Sequence, residues 1–153
     1  KLIMIFNLDM VSTTLIRATP EHVWDTFSNP MAWPEWSSVC LNVWGLSEPL
    51  WNIGSHIGFR LRIAGMGVPF YVEIIEATPP HTISWASTKF SITAIRTFTF
   101  QQQNGSTLVT DHKNFRSPIL PVYLFYPRRI IRTMTETWLR DLKAAAEVNA
   151  STP

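Results

Sequence analysis

The chain has 153 residues, 46% of them apolar and 16% charged, proportions that suit one ordinary domain over residues 1–153 and exclude a disordered polymer. Lys and Arg number 13 against 11 Asp and Glu, and the resulting net charge of +2 is too balanced for nucleic-acid binding by bulk charge. Cys40 is the only cysteine, which excludes an intrachain disulfide and a cysteine metal cluster; no oxidising compartment is needed, and the cytoplasm is the default location. The opening KLIMIFNLDM falls short of the roughly 20 apolar residues of a membrane span, and Asn7 and Asp9 interrupt it. Phe6, Leu8 and Met10 alternate with Asn7 and Asp9 as in a strand, which is expected to run on through residues 11–18. Lys1 is not an initiator methionine, so the native N-terminus is left open.

A helix start follows, with Thr19 as cap, Pro20 at the first helical position and Glu21 and His22 in the first turn. Val23, Trp24 and Phe27 supply its apolar side. Asn29 and Pro30 end it, and Pro34 keeps the next segment, MAWPEWSS, short and broken. Val39, Leu41 and Val43 then alternate with Cys40 and Asn42 as a second strand.

The middle of the chain reads as a run of hairpins. Residues 55–64 and 68–77 flank Gly65-Met66-Gly67, a tight glycine turn. Setting Ala64 opposite Gly67 pairs Ile63 with Val68, Leu61 with Phe70, Phe59 with Val72 and Ile57 with Ile74. His56, Arg60, Arg62, Tyr71 and Glu73 fall on the other, wetted face. Pro79-Pro80 forces the next turn, after which Ile83, Trp85 and Ser87 continue the inward face. Asn104-Gly105 marks a further hairpin. With Gln103 opposite Ser106, Phe100 meets Val109, Phe98 meets Asp111, Arg96 meets Lys113 and Ala94 meets Phe115. Thr99 with Thr110 and Thr97 with His112 take the solvent side.

Past Ser117 the pattern changes. Pro118, Pro121 and Pro127 break the apolar stretch ILPVYLFY. Ile131, Met134, Trp138, Leu142 and Ala145 then recur at helical spacing, with Arg128, Arg129, Arg132, Arg140 and Lys143 mostly off that stripe. One long C-terminal helix is expected, with an irregular lead-in. The seven Trp and nine Phe exceed what one compact core of this size needs, so either the core is unusually aromatic or some rings line a cavity.

Two segments carry a resemblance. ATPEHVWDTFSNPMAWPEW resembles the opening of START-like (SRPBCC, polyketide-cyclase-type) proteins, where an Ala-Pro-like turn precedes a Glu-x-Val-Trp helix and a Trp-Pro-x-Trp segment follows. FTFQQQNGSTLVT resembles a later hairpin of that superfamily, in which Gly-x-Thr follows an aromatic strand. The likeness runs from about residue 11 to residue 146. It implies an α+β helix-grip fold: a curved antiparallel sheet of about seven strands wrapped around the last helix, with two short helices after the first strand and an apolar cavity. It is specific for fold and not for activity, because the superfamily includes carriers, cyclases, aromatases, hydroxylase domains and co-chaperones.

Arg96, Asp111 and Lys113 are the candidate catalytic residues. Three charges on a face otherwise made of Phe98, Phe100, Val109 and Phe115 form either a satisfied ion cluster or the polar patch of a ligand cavity. Arg96 or Lys113 could hold a carbonyl, enolate or carboxylate; Asp111 could shuttle a proton if burial raises its pKa. Glu76 could approach the cluster past Ile83. A pocket lined by Phe59, Leu61, Phe70, Val72, Trp85, Phe98, Tyr123, Met134 and Trp138 would hold a hydrophobic small molecule. Tyr123, Phe125 and Tyr126 beside Arg128, Arg129 and Arg132 are expected to close its mouth rather than rest on an anionic membrane.

His22, His56, His81 and His112 lie on different elements without metal-ligand spacing, so no metal is expected. No serine has a nucleophile-elbow context, no glycine-rich phosphate loop is present, and no cofactor is expected. The leading expectation is a cofactor-independent cyclase for a polyketide- or terpenoid-like compound. The alternatives are a non-catalytic carrier or sensor of a lipid-like ligand, and a co-chaperone-like module acting through Arg60, Arg62 and Tyr71 on the convex face.

Overall fold

Alternating apolar and polar residues lay down seven antiparallel strands in the computed structural model, which describes residues 4–151. The strands are β1 (Phe6–Ile16), β2 (Cys40–Trp44), β3 (His56–Ile63), β4 (Met66–Thr78), β5 (Thr82–Lys89), β6 (Ile92–Gln103) and β7 (Ser106–Ser117). They form one sheet in the order β1-β7-β6-β5-β4-β3-β2, so only β1 crosses over to pair with a strand distant in sequence. Helix α1 (Pro20–Phe27), a 3-10 turn (Pro30–Ala32) and α2 (Trp33–Trp36) follow β1. Helices α3 (Leu120–Leu124) and α4 (Arg128–Ser151) follow β7. This is the helix-grip fold. The apolar start of the chain joins the sheet from Phe6, and residues 1–3 lie outside the described residues.

Local chemistry sets the boundaries. The Thr19 hydroxyl accepts a hydrogen bond from the His22 N–H at 3.3 Å, capping α1 behind Pro20. Val23 and Phe27 then point inward with no exposed surface. The stripe on α4 is Ile131, Met134, Trp138, Leu139 and Leu142, ending on buried Ala146 rather than on Ala145, which is half-buried. These side chains meet Ile57, Ile74, Ile83, Phe98 and Phe100 from the concave face in one core.

Three local features differ from the sequence reading. The β3–β4 turn is the two-residue Ala64-Gly65, with φ of 51° and 78°, as in a type I′ turn whose twist matches that of the strands. Ile63 therefore pairs with Met66, Leu61 with Val68, Phe59 with Phe70 and Ile57 with Val72. The expected register is off by two residues, an even slip, so every side chain keeps its face. In β2 a bulge between Cys40 and Asn42 buries Cys40 and leaves Leu41 exposed, so Val39, Leu41 and Val43 do not form one apolar row. The Ser37 hydroxyl accepts from the Val39 and Cys40 N–H groups, fixing the entry to that strand.

A second bulge, between Ile74 and Glu76 in β4, turns Glu76 to the outer face. There it accepts a hydrogen bond from the Ser84 hydroxyl at 3.2 Å instead of approaching the cluster past Ile83. On the same outer face Trp44 lies so close over Gly58 that a Cβ there would meet its ring at 2.5 Å.

Candidate functional site

β6 and β7 pair without interruption from Thr93 opposite Arg116 to Gln103 opposite Ser106, the register expected from the Asn104-Gly105 turn. The period of two then brings Arg96, Asp111 and Lys113 to the concave face beneath α4. Asp111 has no exposed surface. Its carboxylate accepts from Arg96 Nε at 3.1 Å on both oxygens and from Arg96 Nη2 at 2.6 Å on Oδ2. Lys113 Nζ donates to Asp111 Oδ1 at 3.1 Å and to the Thr135 hydroxyl at 2.6 Å. Thr135 donates its own hydroxyl proton to the Ile131 carbonyl at 2.8 Å, so its oxygen is free to accept from the lysine.

Aromatic rings complete the surroundings. The Arg96 guanidinium carbon stands 4.6 Å from the Phe98 ring centre, 5.5 Å from Trp138 and 5.8 Å from Trp85. Ring faces attract a desolvated cation and replace part of its lost hydration. Burial alone would raise the Asp111 pKa, but Arg96 and Lys113 hold it below its ordinary value. Asp111 therefore stays ionised, and the condition under which it would shuttle a proton is not met. Burial lowers Lys113, the Arg96 charge lowers it further, and Asp111 only partly compensates, leaving a pKa of about 7.

The cluster borders a cavity of about 70 Å³ between the sheet and α4. Phe59, Leu61, Phe70, Val72, Trp85 and Met134 line it, with Arg96 and Lys113 among them. Asp111 sits behind those two basic groups. Phe98 and Trp138 do not reach the cavity wall; both are buried against Arg96. Tyr123 is not in the wall either: its ring packs on Phe6 at 5.6 Å, and it borders a separate small crevice with Leu8 and Val122. Of the three rings expected at the mouth only Tyr126 lines the cavity, its ring 4.4 Å from Phe115, while Phe125 is 84% exposed.

Ile63, Ser87, Ala94, Phe115, Tyr126 and Ile131 also line the cavity, beyond the residues expected from sequence. The signal for most of them was present. The register that turns Arg96 inward also turns Ala94 and Phe115 inward, and Ile131 begins the α4 stripe.

Other chemistry is sparse. Cys40 is buried, which pushes its thiol up to about 11 and keeps it from acting as a thiolate near neutral pH. No group of three or more His, Cys, Asp or Glu among the described residues is placed to hold a metal ion. No helix among them is long and apolar enough to cross a membrane.

Known proteins place this architecture. The chain superposes on the major latex-like protein 151 of Panax ginseng with a TM-score of 0.78 at 15% identity, covering 92% of this chain and 97% of that one. The Zhui aromatase/cyclase of a Streptomyces species gives 0.77 at 11% identity, covering 93% and 94%. The di-domain ARO/CYC StfQ of the steffimycin biosynthetic pathway gives 0.78 at 15% identity, covering 95% of this chain and 53% of that one. At these identities the likeness is one of fold. No curated protein matches by sequence. The family model described as polyketide cyclase / dehydrase and lipid transport matches residues 8–147, within the START-like superfamily. With nearly the whole sheet and α4 inside that match, the chain belongs to the polyketide cyclase / dehydrase and lipid transport family.

Proposed function

We propose that this protein is a cofactor-independent cyclase acting on a hydrophobic, carbonyl-bearing compound of polyketide or terpenoid type. One observation carries the reading: two basic side chains, Arg96 and Lys113, stand at the wall of an otherwise largely apolar cavity, anchored from behind by fully buried Asp111. A carrier needs an apolar wall and a mouth; a buried ion cluster adds a desolvation cost that a carrier has no use for. A cyclase uses both parts. The wall folds a flexible chain and excludes water, converting an encounter between distant carbons into a positioned one.

Arg96 is permanently charged and largely shielded from water, so it polarises a carbonyl oxygen and stabilises the resulting enolate. Lys113, near neutrality, accepts the proton from the carbon between two carbonyls and returns it to the new alkoxide. Asp111 stays ionised, holding both groups in place. Aromatase/cyclases among the structural neighbours are consistent with this chemistry.

The test uses a synthetic poly-β-ketone thioester with wild-type protein and with Lys113→Met. Wild type is expected to accelerate regiospecific ring closure, and the variant to lose about 100-fold or more in turnover while still binding the substrate. Binding without any change in product rate or distribution would leave a carrier of lipid-like ligands, the second reading, which the largely apolar wall also suits.

A further inference from the structure

Lys113 makes two hydrogen bonds, to Asp111 and to Thr135, and its side chain lines the cavity. An ammonium group has three N–H donors. The third finds no acceptor among the described residues. A neutral amine has only two N–H groups, and both are already matched, so its lone pair is left over in the remaining tetrahedral direction. The protein thus matches both N–H groups of a neutral amine but only two of the three of an ammonium.

From this geometry we infer that Lys113 is a nucleophile that captures small apolar aldehydes or ketones as an imine inside the cavity. The inference rests on the same cavity as the proposed cyclisation, though not on the cyclisation itself.

The chemistry balances within the two reactants. The Nζ lone pair attacks the carbonyl carbon, and the C=O electron pair moves to oxygen, which takes one amine proton to give a carbinolamine. The nitrogen then expels that hydroxyl with its second proton as water, leaving a C=N bond. No oxidant or cofactor is consumed. Two neighbours favour the first step. Arg96 lies beside the lysine and discourages its protonation, the second-cation device that frees an amine for attack. Asp111 and Thr135 hold the amine still, limiting the rotamer freedom that a long side chain would lose on reaction. Near neutral pH a much larger share of such an amine is free than of an ordinary lysine. An ordinary lysine is free to only about one part in 10³.

The experiment is reductive trapping on the full chain. Protein at neutral pH is mixed with propanal, and separately with benzaldehyde, in the presence of cyanoborohydride; adducts are counted by intact mass and placed by peptide mapping. Lys113 is expected to be labelled about 100-fold faster than Lys89 or Lys143, which stand on the outer surface. Lys113→Arg keeps a long basic side chain but cannot form an imine, and is expected to lose the fast adduct while the other amines label as before. Labelling confined to the other amines with both aldehydes, or a fast adduct that persists in Lys113→Arg, would overturn the inference. Ring closure by a protein that fails to trap would remove the imine and leave the cyclase standing. Fast trapping without ring closure would do the reverse.

Discussion

A buried Arg–Asp–Lys cluster is costly to assemble, because each charge leaves water for a site of low polarity. Asp111 offsets the cost by facing both basic groups, and three aromatic rings stand around Arg96. The residual strain collects on Lys113, and it has a pH signature. The folded amine titrates at about 7, against 10.5 for an unperturbed lysine. Between those values the unfolded chain keeps a proton that the folded chain has shed, so unfolding takes up a proton and stability rises with pH. Below about 7 both states are charged, and the penalty is present in full. Asp111 acts at the other end: its lowered pKa gives stability above the ordinary carboxylate range that is lost as pH falls below it. Urea midpoints measured from pH 7 to 10 are expected to climb more steeply in wild type than in Lys113→Met. Equal slopes would mean that Lys113 is charged in the fold at neutral pH.

Turns decide register at the scale of the element. The β3–β4 hairpin places Ala64 at φ 51° and Gly65 at φ 78°. Glycine is at home there, but an ordinary L-residue in the left-handed region is strained by about 1 kcal/mol. Asparagine bonds locally to the backbone and tolerates this position, so Ala64→Asn is expected to stabilise the protein by about 0.5–1 kcal/mol, read as a higher urea midpoint at unchanged m-value. A lower midpoint would show that the turn is not of the I′ type.

The same hairpin shows why the sequence was only partly legible. Asn104-Gly105 announces a two-residue turn, and the β6–β7 register with its three inward charges comes from it directly. Ala64-Gly65-Met66-Gly67 offers two glycines, and nothing local says that the first closes the turn. Bulges leave still less trace. Neither Ile75 nor Leu41 differs in type from a regular strand residue, yet each sits at an extra position that reverses the facing of the next residues along its strand, taking Glu76 away from the cluster. Tyr123 and Tyr126 lie three residues apart beside prolines, and only the course of α3 decides which one reaches the cavity.

At the scale of the whole molecule the sheet and α4 enclose about 70 Å³, whereas pockets for drug-sized ligands run to roughly 300–1,000 Å³. A multi-ring compound fits only if part of the wall withdraws. Helix α3 is not itself in the wall but leads into Tyr126, which is; none of its residues is buried and Leu124 and Phe125 at its end face solvent, so Tyr126 has the segment with least to lose behind it. The cavity wall is core surface that no other side chain packs against, so those atoms forgo packing energy they would gain against a neighbour. Stability and ligand binding therefore pull in opposite directions at the same atoms. Ala94 lines the void on β6, two residues from Arg96, so a larger side chain there enters empty space rather than a packed neighbour. Ala94→Leu is expected to leave the unfolding free energy unchanged or raise it by about 1 kcal/mol, while weakening the binding of an apolar fluorescent dye at least about tenfold. Loss of stability would mean that the wall at Ala94 is already packed. Dye affinity that survives the filling would put the binding surface outside the cavity.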